Sequence, residues 1–176
     1  MKTKKILIRA TNIHLKKFEK KHITTKYISS LNDKNLTKYS YQSLIEHDYN
    51  SCVNYIKKIA KEKNILLGVF LNDTSEQHLG NITISFFNYN NSADIAIIML
   101  KEHSGKGYAL ESFQALFKYL FSDMNVRKIT VGTCVENKRM INLAIQAGMT
   151  KDGIRKKHYV LGDFEYDIIH FAKFKN

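Results

Sequence analysis

Between Ala93 and Leu100 the chain carries apolar residues at every position except Asp94, and shortly after comes Ser104-Gly105-Lys106-Gly107-Tyr108-Ala109. A strand apolar on both alternating faces needs cover above and below, so it belongs in the middle of a sheet. Its purely apolar part, Ile95 to Leu100, is far shorter than the roughly 20 residues that span a bilayer. The segment that follows, Tyr108–Phe121, puts Leu110, Phe113, Leu116, Phe117 and Leu120 on one helical face. The loop between strand and helix holds two glycines, which let the backbone turn tightly and leave N–H groups unobstructed. With the partial positive charge of a helix start behind them, those groups form an anion site suited to phosphate or pyrophosphate. An ordinary strand-to-helix turn is the alternative that two glycines alone leave open. The spacing matches neither a Walker loop nor a dinucleotide fingerprint.

The remaining elements follow from periodicity. Ile6–Thr11 and His14–Phe18 are short strand candidates, and Thr24 and Thr25 cap a helix running to about Leu31, with a turn at Asn32–Asp33. Asp48–Lys63 carries Cys52, Val53, Tyr55, Ile56 and Ile59 at helical spacing. Ile65–Leu71 and His78–Phe87 read as strands joined by Asn72–Gln77. Arg127–Val135 is a further strand, and Lys138–Ala147 a helix stopped by Gly148. Met149–Val160 and Phe164–Phe174 form an antiparallel pair around Leu161–Asp163. The order predicts a single α/β domain of the α+β type spanning residues 1–176, with a mostly antiparallel central sheet flanked by helices.

Composition sets bounds. A chain of 176 residues with 44% apolar content is about one domain long and furnishes one real core. Met1 to Lys5 is basic, but the apolar stretch behind it is interrupted by Arg9 and too short for a signal-peptide core, so the expected location is cytoplasmic. Cys52 and Cys134 stand alone without CxxC spacing, which argues against a disulfide framework or a metal site. The net charge of +12 invites a nucleic-acid partner, yet only Arg9, Arg127, Arg139 and Arg155 among the 28 basic residues are arginine. Base and phosphate recognition favours the bidentate arginine fork, so no specific nucleic-acid binding is expected. No feature of the residues sets an oligomeric state.

Context sharpens the glycine loop. Ala93-Asp94-Ile95 through Gly105-Lys106-Gly107-Tyr108-Ala109, with Glu111 in the helix, resembles the acetyl-CoA-binding strand, loop and helix of the GNAT superfamily of N-acetyltransferases. Further on, Glu136-Asn137-Lys138-Arg139-Met140 through Ala147-Gly148-Met149 resembles that superfamily's N-x-x-S-x-x-x-x-x-x-x-G-F stretch. Tyr27-Ile28-Ser29-Ser30-Leu31-Asn32-Asp33 looks like the Y-L-x-W-L-N-D entry helix of the branch holding ribosomal-protein alanine and sugar-amine acetyltransferases. His158 through Gly162 to Asp167 looks like that branch's terminal hairpin. The chain departs from the pattern at Ser30 and Ser104, where the family has Trp, and at Met149, where it has Phe. Glu102 stands at the usual Gln or Arg of the loop, and Ala144 at the Tyr that many members use to protonate the leaving thiolate.

The resemblance implies a co-substrate, acetyl-CoA, no metal, and a site. Ile98, Met99 and Leu100 would hold the pantetheine arm along the strand's exposed edge. Ser104, Gly105, Lys106, Gly107, Tyr108 and Ala109 would cradle the phosphates, and Asn137 would touch the cofactor while also capping its own helix. A free amine would attack the thioester carbon directly, with a strand N–H polarising the carbonyl. The candidates for proton transfer or water orientation are Asp94 at the start of the central strand, with an acid that caps or pairs at a strand end as the alternative, and His158 and Tyr159 on the hairpin, with a hydrogen-bonded surface histidine as the alternative. Tyr39, Gln42 and His47, in the loop after the entry helix, would line the acceptor pocket, with an ordinary solvated loop as the alternative. Cys134 reads as a small packed hydrophobe rather than a nucleophile, and Arg155-Lys156-Lys157 as a solvated basic strand or a phosphate contact.

The acceptor must be an uncharged amine. An alkylammonium of pKa about 10.4 costs roughly 4.6 kcal/mol to neutralise at pH 7, against about 1–1.4 for an α-amine. Without an evident strong base, a low-pKa acceptor is the better match, so the expected partner is a small-molecule amine, first an amino sugar, free or nucleotide-linked, in surface-glycan synthesis. A protein amino terminus comes next, and a catalytically degenerate CoA-binding regulatory module is the reading from outside enzymology.

Overall fold

Among the described residues, four of the five α-helices begin where a short polar side chain closes the first turn. Thr24 accepts from the Tyr27 N–H ahead of α1 (Thr25–Asn32). Asp33 caps α2 (Lys34–Thr37) through the N–H groups of Asn35 and Leu36. Asp48 caps α3 (Tyr49–Lys61) in a reciprocal box with Ser51, and Asn137 caps α5 (Lys138–Gln146). Only α4 (Tyr108–Ser122) starts on a glycine, Gly107, with no side-chain cap. The structure, a computed structural model, describes residues 6–175, and the basic run Met1 to Lys5 lies outside the described residues.

The strands are β1 (Leu7–Arg9), β2 (Ile13–Lys17), β3 (Ile65–Leu71), β4 (His78–Phe87), β5 (Ser92–Met99), β6 (Lys128–Cys134), β7 (Thr150–Leu161) and β8 (Phe164–Phe174). They form one eight-stranded sheet in the order β1-β2-β3-β4-β5-β6-β8-β7. Every neighbouring pair is antiparallel except β5 with β6. A main core joins one sheet face to α4 and α5 through Leu67, Ile82, Ile95, Phe113, Leu116 and Val131. A second core joins the other face to α1 and α3 through Phe18, Tyr27, Cys52, Ile59 and Phe70. Truncating Phe113, which has no exposed surface, would cost about 3–5 kcal/mol through lost burial and the cavity left behind.

Sequence and structure part at three places. The turn read at Asn32–Asp33 is a helix-to-helix junction, where Asp33 ends α1 and caps α2. A 3-10 turn at Tyr41–Leu44 follows. Both are too short to show a helical period. β5 is central as expected, yet only its first half is enclosed. Ala93 and Ile95 are buried, Ala96 is exposed, and Ile97, Ile98 and Met99 are partly covered. Their apolar character serves a cleft rather than a second layer of packing.

Candidate active site

The cleft exists because β5 and β6 part company. Their pairing covers only Ser92–Lys128, Ala93–Ile129 and Asp94–Thr130, after which β6 continues with β8 alone. Backbone groups of successive residues point to alternate edges of a strand. The Leu100 N–H donates to the Leu79 carbonyl, so Leu100, Ile98 and Ala96 face β4 in the register Asn81–Ile98 and Thr83–Ala96. Ile97 and Met99 therefore present their N–H and C=O groups to the open edge. The expected trio of Ile98, Met99 and Leu100 is corrected on this ground. Only Met99 offers backbone groups to the cleft, and Ile97, which the sequence reading passed over, offers the next pair. Leu100 is buried in the second core, and its carbonyl accepts from the His103 N–H. Ile98 belongs to the lining, but its backbone faces Asn81 of β4.

Below the end of β5 lies the glycine loop. Gly105 (φ +79°) and Gly107 (φ +84°) adopt the left-handed conformation that side chains disfavour, and no atom stands within 4 Å of where a Cβ would sit on either. The first helical bond of α4 runs from the Glu111 N–H to the Gly107 carbonyl, so the N–H groups of Tyr108, Ala109 and Leu110 have no partner inside the helix. Open space over bare amides at an uncapped helix start is what a phosphate requires, and Ser104 to Ala109 fit one. Glu102 does not spoil the charge balance. It ion-pairs with Lys26 on α1 and lies 3.2 Å from His103 Nε2, and Lys26 holds its carboxyl below the usual range. Glu111 turns the other way, accepting from the backbone and side-chain amides of Asn12 at 2.6 and 3.1 Å.

The opposite wall is α5. Asn137 accepts the Met140 N–H at 3.3 Å and donates to Thr133 Oγ1 at 2.9 Å, so its cap role and its place on the cleft coexist. Met140, Leu143 and Gln146 also face the opening. Ala144 does not: it is fully buried in the main core. The missing tyrosine is thus a matter of core packing in this chain, because position 144 points away from the cleft.

Toward α1 and α3 the cleft turns polar and aromatic. One stripe of α3, Ser51, Asn54, Tyr55 and Lys58, faces it, at the i, i+3, i+4, i+7 spacing of a single helical face. The Tyr55 hydroxyl meets Thr83 Oγ1 at 3.1 Å. Tyr39, Gln42 and His47 lie on the wall as expected, but His47 is structural as well. Its Nε2 meets the Gln42 carbonyl at 3.1 Å, and its backbone exchanges two 2.8 Å bonds with the Asn32 side chain.

The three proton-transfer candidates separate. Tyr159 lines the cleft, its ring 4.8 Å from that of Tyr41, and burial, with Tyr41 and Asp94 adding to it, pushes its hydroxyl above the usual range. Asp94 sits at the closed end, accepting a 2.6 Å bond from Thr130. Burial raises its carboxyl against the opposing pull of Thr130 and Arg155. His158 is exposed on the outer side of the hairpin, 3.5 Å from an Arg155 nitrogen. A register shift runs between Arg155 and Tyr159, with Lys157 at φ +48°, and the exposed His158 ring stacks on that of Tyr159 at 5.8 Å without itself lining the cleft. Lys156 and Lys157 pair with Asp167 and Glu165 at 2.8 and 2.9 Å, which accounts for the basic strand. The Cys134 thiol is fully buried, and burial pushes it up to about 11.

The cleft measures about 1620 Å³, beyond the roughly 300–1,000 Å³ of a single small-ligand site, so it has room for two substrates. No helix among the described residues is long and apolar enough to cross a membrane.

Residues 12–150 match the acetyltransferase (GNAT) domain family. The chain is 29% identical over 172 residues to the uncharacterised N-acetyltransferase YnaD of Bacillus subtilis, covering 97% of this chain and 94% of that one. It is 30% identical over 82 residues to a spermidine N(1)-acetyltransferase of Vibrio cholerae, a match spanning 46% of this chain and only 47% of that protein. A solved GNAT-family acetyltransferase from Bacillus anthracis superposes with a TM-score of 0.85, at 24% identity and over 97% of this chain and 99% of that one. The parted strands, the bare-amide loop and this matched span belong together: the chain is a member of the GNAT family, an N-acetyltransferase whose acyl donor is acetyl-CoA.

Proposed function

We propose that the acceptor is the primary amine of an amino sugar, and that residues 1–176 work as one acetyltransferase domain in the cytoplasm. The observation that carries this reading is the acceptor wall. It offers the rings and hydroxyls of Tyr39, Tyr41, Tyr55 and Tyr159 with the neutral groups of Gln42, Asn54 and Thr83. Among the described residues, Asp33 and Glu136 are the only acids lining the cleft, against Lys58, Lys101, Lys138 and Arg139. Asp33 is engaged in capping α2 and lies 3.4 Å from Lys101. A polycation such as spermidine needs carboxylates that this wall does not provide, whereas a hydroxylated ring meets aromatic faces and hydrogen-bonding tips.

The roles follow from placement. The amides from Gly105 to Ala109 hold the phosphates, and the backbone edges of Met99 and Ile97 hold the pantetheine arm. Bound there, acetyl-CoA supplies the activated acetyl group. An edge N–H of β5 aims at the oxygen where negative charge develops. Tyr159, kept protonated by its surroundings, donates a hydrogen bond on the acceptor side. Asp94 holds the closed end of the strands rather than taking a proton.

The test is a parallel assay at saturating acetyl-CoA with glucosamine, a uridine-diphosphate-linked amino sugar, a peptide with a free amino terminus, and spermidine. Turnover of at least one sugar above the other two classes is expected. Turnover of the peptide or the polyamine alone would refute the acceptor class and leave acetyl transfer standing.

A further inference from the structure

The 3-10 turn Tyr41–Leu44 leaves large apolar side chains in the open. Tyr41 is 47% exposed, Leu44 55% and Ile45 48%. Contiguous exposed apolar surface beside a cleft is one mark of a ligand-binding groove. The turn is also pinned. Ser40 Oγ accepts the Gln42 N–H at 3.2 Å, the Ser43 hydroxyl donates to the Ser40 carbonyl at 2.8 Å, and His47 and Asn32 lock the following residues. An aromatic side chain on a rigid turn is ordered before any ligand arrives, so little entropy is lost on contact.

Tyr41 and Ile45 both line the cleft, and the Tyr41 ring is backed by Tyr159 at 4.8 Å with an interplanar angle of 38°. One side of Tyr41 thus rests on a partner ring while nearly half its surface is free. The cleft lining that holds this shelf also carries Lys58, whose one acidic partner among the described residues is Glu62 at 4.0 Å, and the lining as a whole has four basic side chains against two acids. A planar apolar surface in a cleft whose lining is net positive is complementary to a ligand that joins an aromatic ring to phosphate.

We infer that Tyr41, backed by Tyr159, is the stacking platform for the nucleobase of a nucleotide-linked acceptor, with Lys58 facing its phosphates. The inference rests on the amino-sugar reading and narrows it: the sugar arrives carrying a nucleotide handle that binds at the mouth of the cleft, while its amine reaches the β5 edge. It also gives the lysine-rich surface a local role that Lys156 and Lys157, already ion-paired, do not fill.

The experiment must keep the donor's own nucleotide out of the shelf. The protein is saturated with CoA, and binding of uridine, UMP and UDP is then measured by calorimetry and by thermal shift. The wild type is expected to bind UMP and UDP more tightly than uridine, with the difference shrinking in salt. Tyr41→Ala should weaken UMP by about 5- to 150-fold, the range for losing one base–aromatic stack, and Tyr41→Phe should restore it. Lys58→Gln should lower UDP affinity and leave uridine alone. Absence of UMP and UDP binding to the CoA-loaded wild type would overturn the inference, as would equal binding by Tyr41→Ala. Turnover of glucosamine without nucleotide binding would sink the shelf and spare the amino-sugar reading. Nucleotide binding that responds to Tyr41, with no amino sugar acetylated, would uphold the shelf and sink that reading.

Discussion

Asp94 accepts a 2.6 Å hydrogen bond from the Thr130 hydroxyl across the last paired rung of β5 and β6. The carboxylate is therefore tied to the hinge of the cleft instead of its lumen. Asp94→Asn keeps an oxygen for Thr130 and should leave kcat within about tenfold of wild type, whereas loss of a general base costs about 10²–10⁴. In both proteins kcat/KM should climb with pH and level off at the acceptor amine's own pKa. A thousandfold fall in the variant would restore Asp94 as the base.

The open space above Gly107 is expected to be phosphate space. Acetyl-CoA at about 100 times its Kd should stabilise the wild type by about 2.7 kcal/mol, and Gly107→Val should abolish the shift. Gly162, in the β7–β8 turn, has the same kind of backbone (φ +62°) and equally open surroundings. Gly162→Val carries similar strain but should keep the full acetyl-CoA shift, which separates backbone strain from ligand exclusion in one thermal-shift experiment.

Cys134 should behave as a packing residue. With its thiol raised to about 11 and no exposed surface, it should resist alkylation in the folded protein. Cys134→Ala should retain turnover within about tenfold, far inside the loss expected for a nucleophile. Intact-mass spectra after acetyl-CoA alone should show no acetylated protein, and a kinetically competent acetyl-Cys134 would contradict direct attack.

His78 makes stability depend on pH. Burial pushes its pKa down to about 4 from 6.5, among Phe18, Tyr27 and Phe70 at 5.0, 5.4 and 5.3 Å. The unfolded chain then holds the extra proton between pH 6.5 and 4 while the folded one does not, so stability falls as pH drops through that window. The ceiling is about 3 kcal/mol. His78→Phe should flatten the slope of Tm against pH between 6.5 and 4, and an unchanged slope would count against this assignment.

Much of this was legible in the residues because it is local. The period of Cys52, Val53, Ile56 and Ile59 is enough to place α3, and Gly105 with Gly107 announces a loop of bare amides before any coordinates. What stayed hidden depends on partners distant in the chain. That Ile97 rather than Ile98 offers its backbone to the cleft depends on the register with Asn81 and on where β6 leaves β5. Position 144 reads as a lost catalytic group until the rotation of α5 turns it into the core. Tyr159 and His158 are equivalent candidates in sequence, and only the folded hairpin puts Tyr159 on the cleft wall and leaves His158 exposed beside it. The acceptor wall is the least legible part, since it is assembled from a short turn, one stripe of α3 and a hairpin.

The parallel seam of three residue pairs gives the molecule two antiparallel clips, residues 7–99 and 128–174, bridged by α4. A sheet continuous through hydrogen bonds would be rigid across its width, whereas here a donor lying along the free β5 edge, as proposed above, would take the place of the missing rungs. Cutting the chain in the Ser122–Lys128 connection should therefore yield two fragments that meet through the core α4 shares with β6 and β8 and that CoA clamps more tightly, the donor acting as the mortar between two halves of a split enzyme.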